Sequence, residues 1–167
     1  VQPKILNYKK PDEFEYAGAC GGWLDWLGYP FCRGRILGTN EKDNGQYDQN
    51  EKIFWATGAA LLIRSDEFHF VGGFDEDFFC YLEDVDLGFR LRLRGHRCLQ
   101  VPAAVVHHLG SATTGGQRGD FATYHGHRNL VWTFVKNMPS LLFWAFLPFH
   151  VVVNFSSLIL GVARGQG

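Results

Sequence analysis

Nothing in the cysteine pattern points to a disulfide framework or a structural zinc. Cys20, Cys32, Cys80 and Cys98 form no C-x-x-C pair and no zinc-like spacing. Reduced thiols packed as small core residues are the simplest account, and they favour a cytosol-facing location. No Lys/Arg-rich tract is present and the formal net charge is -1, which argues against nucleic acid as the main partner. The chain has no internal repeat and no low-complexity tract, and "VQPKIL" at its start carries no signal-peptide core. An uninterrupted apolar run is missing too. Residues 141–162, "LLFWAFLPFHVVVNFSSLILGV", form the most hydrophobic window, but Pro148, His150, Asn154, Ser156 and Ser157 interrupt it. A bilayer span needs about twenty apolar residues. Three readings are therefore open: a helix lying in a membrane surface, which the pattern favours, a soluble core helix, and a true span.

What is present suits one globular domain or a large piece of one: 167 residues, 46% hydrophobic and 16% aromatic. The ends, "VQPKIL" and "ARGQG", read as a fragment of a longer protein. The pattern predicts a strand over Lys4 to Tyr8, then a Gly- and aromatic-rich ordered loop. Gly38 to Asn50 reads as an exposed, mobile loop around the Asn44-Gly45 turn signal. A buried strand over Ala59–Ile63 comes next, and a short helix capped by Ser65 or Asp66. Two short strands divided by Pro102 follow, then a Gly-rich loop, "GSATTGGQRGD", composed to order over a ligand. Phe121 to Met138 reads as a helix ending before Pro139.

The densest negative charge sits in an apolar neighbourhood, "FDEDFFCYLEDVDLGFRLRLRG". A helix over Asp84 to Arg94, ended by Gly95, puts Asp86, Arg90 and Arg94 on one face at i, i+4 and i+8, as a solvated ion-pair ladder. Asp84 falls instead among Leu87, Gly88 and Leu91. Helix geometry alone leaves two readings open. Glu83 and Asp84 cap the helix and complement its positive end, or they form a general-base site walled by Phe78, Phe79 and Tyr81, whose desolvation raises proton affinity.

A resemblance bears on that choice. "TGAALLIR", "VGGFDEDFFCYLEDVDLGFRLRLRGHR", "VPAAVVHHLGSAT" and "HRNLVWTFVKNMP" resemble, in order, the second half of a family 2 glycosyltransferase, specifically the bacterial branch that adds sugars such as rhamnose to surface glycans. "PKILNY" and "FEYAGACGG" through "GYPFCRGR" resemble the same branch. The resemblance implies a partial GT-A α/β fold with a mixed sheet (residues 1–138), followed by an apolar, membrane-associated helical segment (residues 139–167). It implies that Asp84, paired with Glu83, is the base that deprotonates the acceptor hydroxyl. His107, with His108 as fallback, would ligate a divalent cation, manganese or magnesium, although a lone histidine ending a strand also fits a structural role. Arg128 and Asn129 would face the leaving diphosphate, with an ordinary helix-surface arginine as the alternative. Trp55, Thr57 and Gly58 would begin the acceptor pocket.

The implied enzyme is an inverting, metal-dependent transferase of the EC 2.4 class, working at the cytoplasmic membrane face. Its donor is a nucleotide sugar and its acceptor a glycan or lipid-linked sugar. Two departures stand out. The nucleotide-binding half and its D-x-D motif, which precede "QPKIL" in the family, are absent, so the isolated piece is expected to be inactive. "HGHRN" replaces the "QxxRW" of processive members, which implies single-sugar transfer. The competing expectation is a non-catalytic glycan- or partner-binding half.

Overall fold

The computed structural model describes residues 1–36, 38–110 and 120–163. In chain order its elements are β1 (Gln2–Asn7), β2 (Gly22–Leu24), β3 (Pro30–Cys32), β4 (Arg35–Ile36), β5 (Thr39–Asn40), β6 (Glu51–Ile53), α1 (Ser65–Phe70), α2 (Glu83–Leu93), β7 (Cys98–His108), α3 (Asp120–Asn137) and α4 (Ser140–Ala163). The main sheet has the order β1-β7-β6, parallel on one side of β7 and antiparallel on the other. This is the expected α/β architecture with a mixed sheet and an apolar C-terminal helix, consistent with a partial GT-A arrangement.

Three local expectations need correction. β7 runs unbroken through Pro102 because the β1 register jumps from Pro3↔Val101 to Lys4↔Val105, and Pro102, which has no N–H to offer, sits in the resulting bulge. The predicted strand over Ala59–Ile63 is instead a 3-10 turn, Gly58–Ala60, and an extended stretch in which Leu62 pairs with Val1; the strand lies earlier, at β6. The polar segment after Gly38 is tethered: buried Lys4 reaches back to Asp43 at 2.7 Å and to Asp48.

Helix α2 divides the core. Val85 and Phe89 join Leu6, Phe14, Cys20, Cys32 and Trp55 in one cluster, while Leu87 and Leu91 join Ile53, Ala56 and Cys98 in the other. Burial pushes the Cys20 and Cys32 thiols up to about 12, as expected of inert core cysteines. Gly88 is required where α2 crosses Trp55, since a methyl there would lie 2.5 Å from the Trp55 Cβ.

Asp86 overturns the ladder prediction. It is 0% exposed, and its carboxylate accepts from Arg90 Nε at 2.8 Å, Lys136 Nζ at 3.0 Å and Asn137 Nδ2 at 2.7 Å. Arg94 takes no part and lies over the Phe70 ring. Periodicity placed Asp86 on a polar face correctly; it could not show that α3 covers that face.

The interruptions in the apolar window also acquire a role. His150 is buried, stacked on Phe134 at 3.7 Å and Tyr29 at 4.6 Å, with Nε2 donating to the Leu27 carbonyl at 2.8 Å. Asn154, one turn on, donates to the His150 carbonyl at 2.7 Å and reaches the Tyr29 hydroxyl at 3.4 Å. These polar groups form a narrow packing stripe. Around the rest of α4, Leu141, Trp144, Val151, Val152, Phe155 and Leu158 are exposed, so the described residues do not bury the helix.

Candidate active site

Leu82 occupies the N-cap position of α2 with a left-handed backbone (φ 67°) and no side chain able to cap. The first turn therefore presents Glu83 and Asp84 without a capping competitor. Asp84 Oδ2 accepts the Gly58 N–H at 2.8 Å, and Oδ1 accepts the Val85 N–H at 2.8 Å. Burial lifts the Asp84 carboxyl above the usual aspartate range, against the opposing pull of hydrogen bonds from Gly58, Val85 and Thr57. Burial raises Glu83 as well, helped by the neighbouring Asp84 charge. Among the described residues no cationic side chain pairs with either carboxylate. Glu83 Oε2 is buried without a hydrogen-bond partner.

Glu83 lines a cleft of about 460 Å³ together with Gly58, Phe74, Asp75, Glu76, Phe79 and Cys80. Asp84 lies one hydrogen bond behind Gly58. A larger cavity of about 590 Å³, walled by Leu61, Ile63, Leu91 and Cys98, shares none of these residues.

The approach to α2 is strained. Cys80 N–H donates to the Phe78 carbonyl at 2.7 Å across Phe79, which has φ 62° and ψ -57°. This is the rare positive-φ γ-turn, and Tyr81 (φ 65°) and Leu82 are left-handed too. Such residues cost about 1–3 kcal/mol each and persist only where their surroundings hold them. Helix α3 does the holding. Asn129 is 0% exposed, and its Nδ2 donates to the carbonyls of Phe78, Cys80 and Tyr81 at 3.0, 2.7 and 2.8 Å. Arg128 donates to the carbonyls of Asp77 and Phe78 at 3.1 and 2.9 Å, and its Nε donates to Asn129 Oδ1 at 2.9 Å.

Several assigned roles change accordingly. Asn129 spends its amide donors on this turn and Arg128 commits Nε and Nη2 to it, so both hold the turn that carries the acidic pair. Trp55 is a core residue whose indole N–H donates to the Trp23 carbonyl at 3.1 Å, which removes it from the acceptor pocket. Thr57 is buried, and its hydroxyl oxygen accepts the Ala59 N–H at 3.3 Å. Gly58 does line the cleft. Of the other aromatics, Trp26 is exposed beside Phe146 and Phe149, and Trp23 lies under the Arg33 guanidinium.

His107 is exposed near the end of β7, and His108 lies 3.2 Å from Glu15. Among the described residues no three His, Cys, Asp or Glu side chains gather as a cation site. The donor set present here therefore does not fit a divalent cation by itself. The Gly-rich loop expected to order over a ligand falls almost wholly outside the described residues.

The raised Glu83 pKa makes a stability prediction. A carboxyl that holds its proton more tightly when folded is more protonated in the native than in the unfolded state, so stability falls as pH rises through that window. Glu83→Gln removes the penalty. Its thermal midpoint is expected to exceed wild type at pH 7, with the difference shrinking as pH falls and the wild-type carboxyl takes up its proton. An equal midpoint at both pH values would mean that Glu83 carries no such penalty.

Comparison with known proteins gives partial matches. The chain is 44% identical over 74 residues to the N-acetylglucosaminyl-diphospho-decaprenol L-rhamnosyltransferase of Mycobacterium tuberculosis, covering 44% of this chain and 24% of that protein. It is 47% identical over 51 residues to rhamnosyltransferase WbbL of Escherichia coli K12, covering 30% of this chain and 19% of that protein. It is 30% identical over 95 residues to the O-antigen biosynthesis protein RfbC of Myxococcus xanthus, covering 56% of this chain and 7% of that protein. The matches thus span a quarter or less of these relatives. No family model and no solved structure matches.

Proposed function

We propose that this rhamnosyltransferase-like chain is the acceptor-side part of an inverting glycosyltransferase that moves one sugar from a nucleotide donor to a lipid-linked or surface glycan. The observation that carries this reading is the pair Glu83–Asp84, two carboxylates of raised proton affinity without a cationic partner among the described residues, Glu83 on the wall of a cleft and Asp84 one hydrogen bond behind it. An ion pair built for stability would have a counter-charge; a base that must accept a proton needs to lack one. In the reaction Asp84 takes the proton of an acceptor hydroxyl as that oxygen bonds to the anomeric carbon. The carbon–oxygen bond to the nucleotide diphosphate breaks, and the diphosphate leaves with the electron pair. Glu83 is the second candidate for the base, favoured by its place on the cleft wall.

A divalent cation would neutralise the departing diphosphate. His107 would supply one ligand, and the remainder would come from outside this segment, as would the nucleotide site. The exposed flank of α4 supports placement at a membrane. Its 24 residues make a helix about 36 Å long, with His150 and Asn154 turned inward and most of its apolar side chains outward. A lipid-linked acceptor would be met at that surface, on the cytoplasmic side.

The direct assay incubates the full-length protein with a panel of nucleotide sugars, nucleotide-activated rhamnose included, and a polyprenyl-diphosphate sugar, with and without manganese. One donor is expected to give a product heavier by one sugar residue. Binding of acceptor without any transfer would favour the non-catalytic alternative.

A further inference from the structure

Phe79 is 75% exposed, yet it sits at the tip of a strained turn, where a small or flexible residue is the cheaper choice. Three backbone carbonyls around it are held by a fully buried asparagine, and a guanidinium adds two more bonds. A large apolar ring held outward at such cost calls for a use. The ring edges onto Phe121 at 6.3 Å and lies 5.7 Å from His125. It also walls the 460 Å³ cleft, with Phe74 and the carboxylates of Asp75, Glu76 and Glu83.

We propose that this cleft is a sugar-ring subsite in which Phe79 is the stacking platform and the Glu83 carboxylate accepts a hydroxyl hydrogen bond. The composition selects this occupant. A pyranose has an apolar face of C–H groups that suits an aromatic ring, and a rim of hydroxyls that suits carboxylates. A purely apolar ligand would leave Glu76 and Glu83 without use, while a phosphate would be repelled by them; Asp75 is already paired with Lys136 at 2.6 Å. A ring hydroxyl supplies a donor to the Glu83 carboxylate, one of whose oxygens is buried without a partner. Gly58 lines the same cleft and contributes no side chain to it. Resting on the transferase reading, the occupant is the acceptor's terminal sugar, and Phe79 sets its orientation against the acidic pair.

The probe is octyl N-acetylglucosaminide, titrated into the full-length protein by saturation-transfer NMR and used as acceptor in the transfer assay. Phe79→Ala is expected to weaken binding about 5- to 30-fold and to raise the acceptor KM by a similar factor, with the donor KM unchanged. Phe79→Trp is expected to restore both. Phe70→Ala, an exposed phenylalanine outside the cleft, is expected to change neither, and circular dichroism verifies that each variant is folded. Unaltered affinity in folded Phe79→Ala overturns the subsite, as does absence of binding to wild type. Binding that depends on Phe79 without any sugar transfer would retain the subsite and defeat the transferase reading instead.

Discussion

Asp86→Ala in the full-length protein is expected to lower the unfolding free energy by about 3–5 kcal/mol, the cost of stripping one partner from a buried charge network. The carboxylate is wholly enclosed, and Arg90, Lys136 and Asn137 all donate to it. Removing it leaves Arg90 without a carboxylate partner, takes one of two carboxylates from Lys136 and leaves the Asn137 amide only the Thr133 carbonyl, at 3.2 Å. Lys136 retains only Asp75, at 2.6 Å, and Arg90 keeps the Val71 carbonyl at 2.5 Å. Chemical denaturation followed by tryptophan fluorescence reads the loss, with Trp132 on α3 as a local reporter. A change below 1 kcal/mol would show that α3 is fastened elsewhere, and that Asn129 reaches the turn without this anchor.

Asp84→Asn carries the second large effect, in catalysis. Loss of a positioned general base costs roughly 10²- to 10⁴-fold in kcat, and the substitution keeps the side-chain shape while removing the basic oxygen. Acceptor KM is expected to change little, because Gly58, Phe79 and Glu83 rather than Asp84 line the cleft. Glu83→Gln is expected to lose less. The reverse order, with Glu83→Gln the more damaging, would transfer the base role to Glu83.

The acidic block stood out because charge inside an aromatic run is costly and conspicuous, the family resemblance singled out Glu83 and Asp84 within it, and α2 follows from its apolar spacing and the stop at Gly95. The turn that presents the pair was not legible. Phe79, Tyr81 and Leu82 hold left-handed conformations that their residue types disfavour, and that the distant Arg128 and Asn129 impose. Asn129 did leave one trace, as a poor helix former within an otherwise sound helical pattern. Trp55 was misread for the opposite reason. An aromatic before a glycine suits a sugar pocket, but the glycines that matter to it are Gly22 and Gly88, which let its indole into the core. The polar residues of α4 looked like defects in an apolar run, yet His150 and Asn154 form the stripe that docks the helix. In each case a long-range partner, which a local pattern does not encode, decided the role.

The central claim is that Asp84, held above its ordinary proton affinity by burial, is the group that accepts the acceptor's proton. The pH dependence of kcat/KM for the full-length enzyme, wild type beside Asp84→Asn, tests it most directly. Wild-type activity should rise through an ionisation above the ordinary aspartate value of about 3.9, and the variant should show a small residual rate without that limb. A variant that retains both the wild-type rate and the same acid limb would contradict the account.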